Sequence, residues 1–174
     1  MKKNFAIFLL SLFISCTSKS ENKDVVKSYF DLEGYFTKEA ERLTLDKRSV
    51  KKTVVINGKA EEKEVKISDW KNELQNFISS DINKASWKGE FKALENDSSL
   101  VYTANNAKIP IKSVTVTLQN REPKSIKIIS QNENTLYNSH DTLVYEAGSF
   151  YQIIKSQKIK LMEEKRYEVI GKFN

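Results

Sequence analysis

The chain has 174 residues, enough for one domain and a tail, with a formal net charge of +6. Hydrophobic residues make up 39% and charged ones 30%, a balance that can bury a core, while five glycines and two prolines exclude a collagen-like or low-complexity chain. The single cysteine excludes an intramolecular disulfide and a multi-cysteine metal site, and the single histidine excludes a multi-histidine metal site within one chain.

In chain order, Lys2 and Lys3 stand before Phe5 to Ile14 (FAIFLLSLFI), an apolar run broken only by Ser11. A membrane span needs roughly 20 apolar residues, so this run is too short to cross stably and reads as the core of a secretory signal. It ends in Phe13-Ile14-Ser15-Cys16. This sequence resembles the lipobox of bacterial lipoproteins, with Ile14 and Ser15 matching the pattern and Phe13 replacing the usual Leu. The resemblance covers residues 1–16 only. It implies that 1–15 are removed as a signal peptide and that Cys16 becomes the first residue of a 159-residue mature chain, carrying thioether-linked diacylglycerol and an N-acyl chain. One acyl chain holds a protein to a bilayer marginally, whereas two or three hold it firmly, at ~0.8 kcal/mol per buried methylene. Thr17, where Asp would signal inner-membrane retention, resembles an outer-membrane substrate.

Residues 16–24 (CTSKSENKD) follow as a polar tether that has no apolar area to bury. Val25, Tyr29, Leu32, Phe36, Ala40 and Leu43 then form one stripe of a 3.6-residue period and predict an amphipathic helix at about 25–45, capped by Asp24 and weakened by Gly34. Phe30 and Tyr35 fall off that stripe, and aromatic residues off the core stripe suggest a contact site. Lys47, Arg48, Lys51 and Lys52 read as a basic loop between helix and strand, weakly suited to anionic headgroups. Asn57-Gly58 between extended runs predicts a two-residue hairpin turn, with the charged return strand at a sheet edge. Trp70, Leu74, Phe77 and Ile78 predict a second helix at about 69–82. From about residue 99 the period becomes two, predicting a five- or six-strand antiparallel meander with turns at 120–123 and 147–149. The expected fold is therefore α+β. Residues 25–174 form one domain in which two amphipathic helices cover one face of a curved antiparallel sheet.

Ser139-His140-Asp141 carries three catalytic residue types, but neighbours on an extended chain point to opposite faces, so the segment Asn138–Asp141 reads as a turn rather than a triad. The carboxylates Glu61, Glu62, Glu64, Glu163 and Glu164 lie in charged, solvated stretches unsuited to acid–base work. No glycine-rich phosphate loop, nucleophile elbow or dinucleotide fingerprint occurs, so neither an enzyme nor a cofactor is expected, and no nucleic-acid partner. Two functions remain. The first is a non-catalytic interaction module of the cell envelope, held to a membrane by Cys16 and touching an envelope protein. The second is a binder of a lipid or other apolar ligand, which requires a cavity of ~300 Å³ or more between helices and sheet.

Overall fold

The computed structural model describes residues 27–174. The expected signal peptide, Cys16, the expected tether and the expected cap Asp24 lie outside them. The described chain begins with a bend at Ser28–Tyr29 and then helix α1 (Leu32–Asp46), capped by Asp31, whose side chain accepts from the Gly34 amide. Gly34 is therefore not a weak point but a condition of the cap, because a Cβ there would stand 2.3 Å from Asp31 Oδ2. Leu32, Phe36, Ala40 and Leu43 are the buried stripe of α1, as their spacing predicts.

Strands β1 (Ser49–Ile56) and β2 (Lys59–Lys66) form the expected hairpin, with Asn57 at φ 48° and Gly58 at φ 84°. Two single helical turns follow, α2 (Trp70–Glu73) and α3 (Gln75–Ile78), then a 3₁₀ turn at Ala85–Trp87. The rest is strand: β3 (Phe91–Glu95), β4 (Ser99–Ala104), β5 (Ile111–Gln119), β6 (Glu122–Glu133), β7 (Tyr137–Glu146), β8 (Phe150–Ile159) and β9 (Lys165–Phe173). All pairings are antiparallel, in the order β2-β1-β9-β8-β7-β6-β5-β4-β3. The C-terminal strand thus closes against the N-terminal hairpin, leaving β2 and β3 as the two edges. The charged strand β2 is exposed along nearly its whole length, which discourages further pairing.

The two-helix α+β expectation is overturned: 52% of the described residues lie in strands and 18% in helices, so the protein is mostly β. Three physical reasons account for the difference. First, Leu74 leaves helical geometry (φ −91°, ψ 9°), so the apolar periodicity of 70–82 covers two separate turns rather than one helix. Second, the meander has seven strands, because the short runs 91–95 and 99–104 pair as β3 and β4. Third, the Asn138–Asp141 segment is not a turn but part of β7, paired on both sides.

The inner face of the sheet carries Tyr145, Tyr151, Ile126, Ile128, Val114 and Val116, all fully buried. Rings from the helical segments interlock with them. Phe36 meets Phe77 at 4.7 Å and Tyr145 at 5.3 Å between centroids, and Trp70 meets Tyr151 at 6.3 Å and Phe173 at 5.9 Å. Such pairs contribute about 0.5–1.5 kcal/mol each beyond the area they bury. Polar tips are satisfied at the rim of this cluster: the Tyr145 hydroxyl donates to Glu39, and that of Tyr151 to Glu73.

Candidate functional site

The residues predicted to contact partners are placed as follows. Lys47 adopts the left-handed conformation (φ 52°) that ends α1, and Arg48 pairs with Asp46 at 3.1 Å. Lys51 and Lys52 belong to β1 rather than to a loop and, as strand neighbours, point to opposite faces. Lys51 pairs across the hairpin with Glu62 at 2.8 Å, and Lys52 pairs with Glu73 at 2.7 Å on the helical side. The four cations are therefore split between two faces, three of them with acidic partners, and do not form one patch. Phe30 and Tyr35 are half-buried and meet as tilted rings 5.7 Å apart between centroids, with Tyr35 also 6.4 Å from Tyr145. Burial, reinforced by the charge of Glu39, pushes the Tyr35 hydroxyl up to about 12. These rings rim the core.

Two concavities stand out. The larger, about 600 Å³, is an open groove on the outer side of the helical layer. Thr37, Ala40, Glu41, Thr44 and Leu45 of α1 form one wall, and Ser68 to Lys71 form the other. Leu45 projects beside it with 81% of its surface exposed. Its sequence signal was available, since Leu45 falls outside the core stripe of α1.

The smaller, about 170 Å³, lies between α3 and the sheet. Its residues come from four stretches: Asn76, Ser79 and Ser80; Lys84 and Trp87; Pro110 and Ile111; and Ser130, Asn132, Asp141 and Leu143 of the sheet. Strand alternation puts Ser139 and Asp141 on the inner face with Leu143 and Tyr145, while His140 is exposed on the outer face. The three residues do not converge into a triad. Asp141 faces Lys155 across the β7–β8 ladder, but the Lys155 ammonium instead donates to Asn76 Oδ1 at 2.7 Å. Asp141 Oδ1 is enclosed without a hydrogen-bond partner. Burial holds the Asp141 carboxyl above its ordinary range, against the opposing charges of Lys155 and His140. Lys84 lies 4.4 Å from the centroid of the Trp87 ring and donates to the Ser79 carbonyl. Sequence reasoning passed over this pocket.

Among the described residues no cluster of three or more His, Cys, Asp or Glu could hold a metal ion, and no helix is long and apolar enough to cross a membrane. Compared with protein-family models, curated proteins and solved structures, the chain matches none.

Proposed function

We propose that this protein is a lipoprotein of the bacterial envelope, held to the outer membrane through Cys16 and acting there as a non-catalytic interaction module for an envelope protein. The observation that carries the second half of this reading is the distribution of space. Interlocked rings pack between the helices and the sheet, and the concavity between α3 and the sheet is about 170 Å³ with a largely polar lining. That is smaller than the ~300 Å³ at which pockets for whole apolar ligands begin. The favoured contact surface is the open groove of about 600 Å³ between α1 and the segment entering α2, with Leu45 as its apolar anchor. A lipid carrier would need its space on the other side of the helices.

The test is a photo-crosslinking side chain placed at position 45 in intact cells, with position 127 on the outer sheet face as control. The reading predicts one discrete envelope-protein adduct from position 45, lost with Thr44→Arg, and none from position 127. Equal adducts from both positions, or none from either, would contradict it.

A further inference from the structure

We infer that one end of the sheet, built by the tips of the β1–β2, β6–β7 and β8–β9 hairpins, seats in the interfacial layer of a lipid bilayer. Five of the eight exposed large apolar side chains among the described residues lie there: Ile56, Leu136, Ile159, Leu161 and Met162. The strand order gathers them. The Asn57 amide donates to the Arg166 carbonyl and the Arg166 amide to Asn57 Oδ1, both at 3.0 Å, which ties the β1–β2 turn to the start of β9. The Lys160 amide donates to the Leu136 carbonyl at 2.9 Å and joins the other two tips. Grouped apolar exposure of this kind marks a contact with a protein or a membrane. Leu161 is wholly exposed, and its backbone is left-handed (φ 68°), a conformation that favours Gly or Asn. Neither packing nor turn geometry accounts for a leucine there.

The order of side chains along the strands favours lipid over protein. Behind the apolar tips stand two half-buried tyrosines, Tyr167 opposite Ile56 and Tyr137 opposite Ile159. Lys59, Lys158, Lys165 and Arg166 are exposed around them, and none is in an ion pair among the described residues. Tyrosines and long cations so placed meet the headgroup layer while the apolar tips pass below it. Glu163 and Glu164 in the same turn keep the seating shallow. The described chain also begins toward this end: Lys27 lines one hollow with Lys84, and Lys84 lines the α3 pocket with Pro110 and Asn132, beside the start of β5 and the end of β6. Cys16 stands eleven residues before Lys27, at most about 40 Å of chain. The Leu45 groove lies at the opposite end, where β1 begins and β2 finishes, so a seated tip turns the groove away from the bilayer. The proposed anchor brings the tips near a membrane, but the inference rests on the patch itself.

The experiment places the full chain on vesicles of phosphatidylethanolamine and phosphatidylglycerol that carry a phospholipid with a photoreactive diazirine in its acyl chain. Adducts are located by peptide mass spectrometry. The expected result is lipid adducts in residues 157–166 about tenfold or more above those in the opposite-end turns 120–123 and 147–149, the ratio that burial of one leucine side chain supplies. Leu161→Asp lowers the tip adducts about tenfold. Leu161→Gly, which suits the left-handed backbone and so keeps the turn folded, lowers them as well. Equal adducts at both ends, or tip adducts unchanged in both variants, overturn the inference. Adducts confined to residues 16–31 overturn it while leaving the anchor in place. A photo-crosslinking side chain at position 161 that captures a discrete protein in intact cells overturns it in favour of a protein contact.

Discussion

Gly171 offers the most direct probe of the ring cluster. It sits in β9 opposite Tyr151 of β8. A Cβ at this position would lie 2.2 Å from both Cε1 and Cζ of the Tyr151 ring. The ring cannot easily retreat: it is fully buried, it packs against Phe173 at 6.0 Å between centroids, and its hydroxyl is held by Glu73. Overpacking of this kind costs roughly 1–3 kcal/mol, and the pinned ring argues for the upper end. Loss of chain freedom in the unfolded state offsets about 0.4–1 kcal/mol. Gly171→Ala should therefore destabilise by about 2 kcal/mol, a fall in Tm of roughly 4–8 °C for a domain of this size. In a Tyr151→Leu background the clashing atoms are absent, and the same substitution should be neutral or slightly stabilising. Urea and thermal denaturation of the four proteins closes the cycle. An equal loss in both backgrounds, or none in the parent, would refute the packing described.

Two further predictions concern pH. Burial of Glu39 opposes its ionisation, but hydrogen bonds from Arg42 and Tyr145 outweigh it and hold the carboxyl below its ordinary value of 4.5. A depressed folded pKa contributes stability that is present above 4.5 and lost as pH falls through the folded value, so Glu39→Gln should flatten the acid limb of a Tm-against-pH curve below that point. Asp141 has the opposite sign. Its pKa is raised from 3.8 by burial, so the stability attached to its neutral form is fully present below 3.8 and lost as pH rises through the folded value. Asp141→Asn should accordingly raise Tm at pH 7, with the gain vanishing below pH 3.8, and an unchanged Tm at pH 7 would show that the carboxylate is not desolvated.

How much of this was legible in the sequence depended on the range of the signal. Asn57-Gly58 specifies its hairpin within two residues, and Leu32, Phe36, Ala40 and Leu43 specify a helix face within three turns. The break at Leu74 is not local: Trp70, Leu74, Phe77 and Ile78 keep helical spacing because each finds the same aromatic layer, whether or not the turns are continuous. Lys51 and Lys52 disguised the start of β1, since their acidic partners Glu62 and Glu73 come from other elements. The α3 pocket was least accessible of all. Asn76, Asp141 and Lys155 meet only through sheet register and the crossing of the helical segment. The alternation Ser139, Asp141, Leu143, Tyr145 was a usable signal that reading the segment as a turn concealed.

Cys16 is the residue on which the proposed role depends. The decisive measurement is incorporation of radiolabelled palmitate in growing cells, read beside membrane fractionation, for the parent and Cys16→Ser. Label in the parent only, with the variant released from the membrane fraction, is the predicted result. An unlabelled parent, or a Cys16→Ser variant that stays with the membrane, would contradict the account.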